Sequence, residues 1–254
     1  MGMLQGLRSA VSFLTVFPAG FGTIEEMGRY AFLFPLIGAL LGLIAGLVGT
    51  ALFIILPDAV AGWLLLLAIA LLTGLNHLDG LLDLGDALMV RASRERKLEI
   101  LHDKHHGIGG FAMLFFVLVI TQSFFPPLKS EILIALVAAE TLAKTSMVIM
   151  GCTGTPNTEG LGSIFIRSAG EHRTRNLVLS SVIALAVLAA AFRSILFLIP
   201  FVTVVVFSLL FTKFLQGSFG CVTGDMLGSQ GELARLIALI TILLMAGLSI
   251  AVIV

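Results

Sequence analysis

The sequence predicts an all-α polytopic membrane protein, a bundle of about seven transmembrane helices with its active site on the cytoplasmic side. Two observations support this fold class. Of the 254 residues, 58% are hydrophobic and only 12% are charged, and the mean hydropathy is +1.11. A soluble domain carries about 25% charged residues, and a soluble fold of this size could not bury so much apolar surface. The apolar runs are also too long and too continuous for the alternating strands of a membrane β-barrel.

The apolar segments follow one another along the chain in lengths that suit a bilayer, since a spanning helix needs about 20 mostly apolar residues. Seven stretches qualify: 31–56, 59–76, 107–125, 131–151, 177–192, 194–211 and 233–254. The fifth and sixth are separated by a short break, so six to eight spans are expected. Residues 3–20 mix apolar and polar side chains, which favours a helix along the membrane interface. No linker divides the chain, so residues 1–254 are expected to form one integral membrane domain.

The distribution of positive charge predicts the orientation of these spans. With seven spans, one face receives the N-terminus and the segments 77–106, 152–176 and 212–232. Twelve of the 15 Lys and Arg residues lie on this face, Arg235 among them. The other face holds Lys129 and Arg193, and Lys144 lies within a span. The positive-inside rule therefore puts the first face in the cytoplasm, with the protein in the cytoplasmic (inner) membrane.

Composition also limits the partners. The formal net charge is zero, which gives no bulk electrostatic basis for binding nucleic acid. Membrane lipid surrounds the predicted spans. The sequence leaves the oligomeric state open, a homo-oligomer included.

Three aspartates, Asp79, Asp83 and Asp86, stand at steps of four and three after the second apolar stretch. This spacing places all three on one face of a helix. Like charges stacked there repel one another, and burying one near a membrane costs about 2.5–3.5 kcal/mol. A divalent cation between them relieves both costs, and oxygen ligands favour Mg²⁺ or Mn²⁺ shared with substrate phosphates. The alternative is a solvated helix end whose carboxylates pair with neighbouring arginines.

A basic segment follows the aspartates and includes Arg91 and Arg94, ahead of a further carboxylate, Asp103. Carboxylates that hold a metal beside arginines suit phosphoryl chemistry, because guanidinium groups bind phosphate oxygens bidentately. We expect Arg91, helped by Arg94, to stabilise charge on phosphoryl oxygens, and Asp103 to act as a general base or as a metal ligand. His77 is a candidate hydrogen-bond donor to substrate. No spacing such as HExxH indicates zinc.

Two further polar features lie in the later part of the chain. In the stretch 220–232, Thr223 and Asp225 offer a hydroxyl and a carboxylate among glycines and are candidate substrate-binding residues, although a plain glycine-rich turn between spans explains the stretch equally well. Glu140 and Lys144 stand four residues apart inside the fourth span, and we expect them to neutralise each other.

Several motifs in order along nearly the whole chain resemble the cobalamin synthase family. They are FLTVFP at 13–18, FPLIGALLG at 34–42, GLNHLDGLLDLGDAL at 74–88, Asp103 with Gly107 and Gly110, and VTGDMLG at 222–228. The resemblance implies a polytopic enzyme of last-stage cobalamin assembly with adenosylcobinamide-GDP ribazoletransferase activity. Such an enzyme joins GDP-activated adenosylcobinamide to α-ribazole or α-ribazole phosphate, releases GMP and uses Mg²⁺.

Two alternative functions, a CDP-alcohol phosphotransferase and a transporter, fit only part of the sequence pattern. A CDP-alcohol phosphotransferase making phospholipid has the motif DxxDGxxAR, but Ala87 and Val90 replace its Gly and Ala here, and the downstream aspartate spacing does not fit. A transporter would place its carboxylates near the bilayer midplane between broken helices, whereas these aspartates follow the end of a predicted span.

Overall fold

A computed structural model describes residues 2–20, 22–192 and 194–251, with side chains up to Ala246 in the last helix. Arg193, which the sequence analysis assigned to the far face, lies outside the described residues, as do the last three residues of the seventh predicted span. The described residues form helices and no strand of more than an isolated bridge. The helices are α1 Met3–Leu14, α2 Ile24–Arg29, α3 Phe34–Ile55, α4 Asp58–Thr73, α5 Asn76–Met89, α6 Arg94–Leu101, α7 Ile108–Ser123, α8 Ile132–Thr153, α9 Leu161–Glu171, α10 Arg173–Phe192, α11 Leu198–Phe219 and α12 Gly224–Ala251.

The all-α membrane fold is confirmed, but the count of seven spans is not. Within the described residues, five helical segments are long and apolar enough to cross a bilayer: Ala31–Ile55, Pro126–Thr153, Arg173–Phe192, Ile195–Phe219 and Gly224–Ala246. A sixth exists if α4 and α5 count as one broken span, bent by 98°. The helix α7 has 16 residues, which extend about 24 Å at 1.5 Å per residue. It is shorter than the about 20 residues that a spanning helix usually needs.

The bend between α4 and α5 is made by two successive residues with left-handed backbone. Gly74 has φ 78° and ends α4, and Leu75 has φ 66°. Glycine adopts this conformation freely, whereas a leucine there costs roughly 1–2 kcal/mol. The bend turns α5 almost perpendicular to α4, so the aspartate-bearing helix lies across the end of the bundle instead of continuing the span.

The helix α8 forms the centre of the bundle and is buried along most of its length. Its closest neighbour is α3, where Gly38, Gly42 and Gly46 repeat every fourth residue against the backbone of α8. Small residues at this spacing let two membrane helices approach closely and gain packing contacts. The helix α12 packs on another side of α8 and on α5, which brings its first turns to the aspartate-bearing helix.

Two predicted segments contain more helix than expected. The segment 152–176, expected to be a polar loop, holds the 11-residue helix α9. The stretch 220–232 is not a glycine-rich turn, because α11 continues to Phe219 and α12 begins at Gly224. Gly220 ends α11 with φ 81°, whereas Gly224, Gly228 and Gly231 lie on α12, where they face other helices.

Side-chain contacts also join connecting segments at the two ends of the bundle. At one end, Lys129 Nζ lies 2.8 Å from Asp58 Oδ2 and joins the link before α4 to the link before α8. At the other, Arg94 of α6 donates a hydrogen bond to the Gly217 carbonyl near the end of α11. The count of positive residues on the predicted cytoplasmic face included Arg235. This count is corrected, because Arg235 is buried inside the bundle.

Candidate active site

The three aspartates of α5 lie on one helix but do not share one set of contacts. Asp79 is exposed and Asp83 is partly buried. His106, from the loop before α7, joins these two: ligand atoms of Asp79, Asp83 and His106 all lie within 4.8 Å of one another. His106 Nδ1 is 3.4 Å from Asp83 Oδ1. The structure therefore brings together two of the three predicted metal ligands and adds an imidazole.

Asp86 has other partners. Its Oδ2 accepts a hydrogen bond from the Gly107 amide at 2.6 Å, and its Oδ1 accepts one from the Gly110 amide at 2.8 Å. These amides belong to the first turn of α7, where a carboxylate satisfies free N–H groups and offsets the positive end of the helix dipole. Asp86 thus fastens α7 to α5 and thereby positions His106, one residue before Gly107.

Asp225 reaches the same place from α12. Gly80, beside Asp79 in the sequence, lies against the backbone of Asp225, so that α5 and the start of α12 are in direct contact. Thr223 Oγ1 donates a hydrogen bond to Asp225 Oδ2 at 3.5 Å and accepts one from the Met226 amide at the same distance. The hydroxyl therefore caps α12 and contacts the carboxylate.

These side chains line a cavity of about 380 Å³, called here the acidic cavity. Its lining residues are Asp79, Asp83, Leu101, His102, Asp103, Lys104, His106 and Asp225. Four carboxylates facing one space repel one another unless a cation lies between them. The donor set, mostly carboxylate oxygen with one imidazole nearby, fits a hard divalent cation such as Mg²⁺ or Mn²⁺. The cavity can therefore hold a metal together with phosphate oxygens.

Asp103 enters the acidic cavity from the loop after α6, because buried Leu101 anchors the end of that helix. Its Oδ1 accepts hydrogen bonds from the His105 amide at 3.0 Å and from His105 Nδ1 at 2.9 Å. These two hydrogen bonds hold the pKa of Asp103 below its ordinary value. A carboxylate with a lowered pKa stays ionised at neutral pH and is a weaker base.

The two candidate arginines lie elsewhere. Both are exposed, and neither is among the described residues that line the acidic cavity. Arg94 Nη2 donates to the Gly217 carbonyl at 3.1 Å and so holds α6 against α11. The cavity lining instead supplies Lys104 and His102 as groups that can meet an anion. Sequence spacing placed Arg91 and Arg94 near the aspartates but could not show that both side chains are exposed outside the acidic cavity.

A second cavity of about 450 Å³, called here the apolar cavity, adjoins the first and shares His102 and Asp225 with it. Residues from α1, α2, α5, α9 and α12 line it, and they include both aromatic and aliphatic side chains and polar ones. His77 and Thr223, both predicted to bind substrate, are among its lining residues. Glu159 and the first turn of α9 were not predicted, because a helix in segment 152–176 was not expected.

Behind His77 lies a network of buried charges. Arg235 of α12 pairs with both Glu140 of α8 and Glu232 of α12. Lys144 Nζ is 3.7 Å from Glu140 Oε2, and His77 Nδ1 is 3.8 Å from Glu232 Oε1. Glu140 therefore has two cationic neighbours where the sequence analysis expected one. The sequence could not show this, because Arg235 lies 95 positions from Glu140.

Comparison with known proteins agrees with the motifs. The family model described as cobalamin-5-phosphate synthase matches residues 6–243. The adenosylcobinamide-GDP ribazoletransferase of Methanocella arvoryzae is 31% identical over 258 residues, covering 93% of this chain and 94% of that protein. The enzyme of the same name from Methanococcoides burtonii is 30% identical, with 95% and 92% covered. The one from Saccharolobus islandicus is 46% identical over 113 residues, 44% of each chain.

No solved structure matches the chain. The family model nevertheless extends over both cavities and nearly all of the bundle, and the relatives match over almost their full length. The resemblance drawn from the motifs is therefore confirmed: the chain belongs to the cobalamin-5-phosphate synthase family and is a transferase of cobalamin synthesis.

Proposed function

We propose that the chain joins GDP-activated adenosylcobinamide to α-ribazole or α-ribazole phosphate in a Mg²⁺-dependent reaction that releases GMP. The observation that carries this proposal is the acidic cavity, in which carboxylates from α5, α12 and the α6–α7 loop converge. The names of the relatives in Methanocella arvoryzae and Methanococcoides burtonii supply the substrate class.

The reaction requires one bond to form and one to break at phosphorus. A ribose hydroxyl of the acceptor attacks the phosphorus that is attached to the cobinamide arm, and the bond from that phosphorus to the GMP oxygen breaks. The hydroxyl proton leaves to a base or to water, and GMP departs as the product. A Mg²⁺ ion held by the carboxylates would neutralise charge on the diphosphate oxygens.

The residues of the chain have distinct proposed tasks. Asp79 and Asp83 are the proposed metal ligands, with His106 and Asp225 beside them. Asp86, predicted as a third ligand, fastens α7 through both of its oxygens. Asp103 is proposed to act at the metal, and its lowered pKa favours a ligand role over that of a general base. Much of the catalysis is positioning, as in other phosphoryl transfers.

We further propose that the site faces the cytoplasm from the inner membrane. Without Arg235, which is buried, eleven Lys and Arg residues remain on the predicted cytoplasmic face, against Lys129 among the described residues of the other. This asymmetry satisfies the positive-inside rule. Both soluble substrates would reach the acidic cavity from that side.

The test is metal-dependent GMP release by the protein purified in detergent. GDP-activated adenosylcobinamide and α-ribazole are supplied, and GMP and the corrinoid product are separated by chromatography while Mg²⁺ is varied. Asp83→Asn should lose at least 99% of the activity, and Asp58→Asn, an exposed carboxylate at the opposite end of the bundle, should keep it. Turnover of a CDP-alcohol with release of CMP, and none of the GDP substrate, would replace this proposal with the phospholipid alternative.

A further inference from the structure

The apolar cavity adjoins the acidic cavity, where the second substrate of the proposed reaction has to meet the diphosphate. It shares His102 and Asp225 with the acidic cavity, so a molecule that fills it reaches the carboxylates with its polar end. Its volume of about 450 Å³ falls in the range of roughly 300–1,000 Å³ that is usual for small-molecule sites. A corrin macrocycle with its adenosyl and GDP groups is larger than this cavity can enclose.

The residues that line the cavity form an apolar half and a polar half by their chemistry. Phe13, Ile24, Phe165 and Leu227 make up the apolar half. The rings of Phe13 and Phe165 are nearly parallel, with an interplanar angle of 16° and centroids 6.4 Å apart. Phe165 is 1% exposed and also stacks on Phe34, so its ring is fixed in place by packing. Such a wall suits a flat, apolar, aromatic ring system.

The polar half contains groups that suit a ribose. Asn76 and His77 at the start of α5 and Thr223 at the start of α12 line it, next to the shared Asp225. The buried Nδ1 of His77 has no hydrogen-bond partner and faces Glu232 at 3.8 Å. Amide, imidazole and hydroxyl side chains bind sugar hydroxyls through both donors and acceptors. The two residues shared with the acidic cavity, His102 and Asp225, belong to this polar half.

From this arrangement we infer that the apolar cavity binds the acceptor nucleoside, with its base against Phe13 and its ribose toward Asp225. Phe13 is 39% exposed, and the buried Phe165 supports its ring from behind. The inference rests on the proposed function and adds to it the place and orientation of the acceptor. The nucleoside enters base first, and a ribose hydroxyl meets the diphosphate in the acidic cavity. The corrinoid stays outside the apolar cavity and presents only its phosphorylated arm. Phe13 and Leu161 then determine which bases are accepted.

Leu161→Trp tests this inference, because Leu161 lines the cavity while its side chain is 69% exposed, so that a larger ring can be added without disturbing the core. We expect the KM for α-ribazole to rise at least tenfold and the KM for the GDP-activated corrinoid to stay within twofold. Leu179→Trp on α10 is the matched control, since Leu179 is exposed and lines neither cavity among the described residues. It should change neither KM.

Phe13→Ala is the second variant and should raise the KM for α-ribazole about fivefold while admitting acceptors with larger bases. Calorimetric titration of α-ribazole into the protein without corrinoid gives a readout that is independent of turnover. Leu161→Trp should weaken that binding as strongly as it raises the KM. If wild-type protein releases no GMP, the proposed function fails, whereas binding still decides the inference. Equal effects of Leu161→Trp on both substrates, or wild-type affinity for α-ribazole in both variants, would overturn it.

Discussion

Gly80 of α5 lies directly against Asp225 at the start of α12: a Cβ atom at position 80 would be 2.6 Å from the Asp225 carbonyl oxygen and 2.8 Å from its Cα. Both atoms belong to backbone, so a side chain at position 80 cannot be accommodated by a rotamer change. Because residue 80 has no side chain, the helices that carry Asp79, Asp83 and Asp225 can pack in direct contact. The shape of the acidic cavity depends on this contact.

Gly80→Ala should therefore push α5 away from α12. We expect a loss of stability of about 1–3 kcal/mol from overpacking and a fall in kcat of at least tenfold, because the carboxylates separate. Gly170→Ala on α9 is the control, since a Cβ there meets no atom within 4 Å. Thermal unfolding in detergent and the GMP-release rate measure the two effects. Wild-type activity in Gly80→Ala would show that the contact does not shape the site.

The Asp86 contacts lead to a second prediction. Asp86→Ala removes the acceptor of two amides at the start of α7, one exposed and one partly buried. Losing a capping acceptor of this kind costs about 0.5–2 kcal/mol. We expect a lower melting temperature with little change in the Mg²⁺ concentration that gives half-maximal rate. Asp58→Asn again serves as the control. A raised Mg²⁺ requirement with unchanged melting would restore Asp86 as a metal ligand.

The sequence predicted those parts of the site that depend on local spacing. A step of four and a step of three place Asp79, Asp83 and Asp86 on one helix, as the structure shows. It could not predict contacts across the bundle. That Asp86 faces the first turn of α7 and His106 faces Asp83 depends on how two helices cross, which no local pattern encodes.

The bend between α4 and α5 and the start of α12 were harder to predict than the aspartate-bearing helix. Nothing in the composition of residues 74–76 distinguishes a continuing helix from the 98° bend that Gly74 and Leu75 make. A positive φ is unfavourable for a leucine. At Leu75 this conformation directs α5 across the end of the bundle. The early start of α12 could not be predicted because Gly224, Gly228 and Gly231 are typical of a turn, whereas in the structure they allow close helix packing.

The buried charge network supports the fold more than the chemistry. Glu140→Gln leaves Arg235 with one carboxylate, Glu232, and leaves Lys144 without its partner inside the bundle. Breaking a buried ion pair in this way costs about 3–5 kcal/mol. We expect a large drop in melting temperature, measured in detergent, and little change in KM for the protein that remains folded. Glu131→Gln, at an exposed carboxylate before α8, should melt as the wild type does.

The proposed orientation is tested by labelling single cysteines in intact cells. The native Cys152 and Cys221 are both buried, so the background is low. A cysteine at exposed position 94 should be protected from a membrane-impermeant maleimide, and one at exposed position 129 should react. Both should react after the cells are permeabilised. The reverse pattern would place the acidic cavity outside the cytoplasm and remove the proposed access for its substrates.

Asp103 has two candidate roles in the acidic cavity, one as a metal ligand and one as a general base. It is half exposed, shares the cavity with Asp79 and Asp83, and accepts two hydrogen bonds from His105. The hydrogen bonds lower its pKa, which suits a ligand that must stay ionised and weakens a base. A base and a ligand differ in what restores activity after the carboxylate is lost.

Asp103→Asn should therefore raise the Mg²⁺ concentration for half-maximal rate roughly tenfold, because removing a charged ligand weakens metal binding, and excess Mg²⁺ should recover most of kcat. The pH profile should keep its shape. Glu99→Gln on α6 removes a nearby exposed carboxylate that pairs with Arg96 and lines neither cavity among the described residues, so it should behave as the wild type does. A base would give the opposite result: kcat falls steeply, the Mg²⁺ requirement stays constant, and raising the pH restores part of the rate as the acceptor hydroxyl ionises. Unchanged kinetics across both titrations would exclude both roles and leave Asp103 as a charge at the end of a helix.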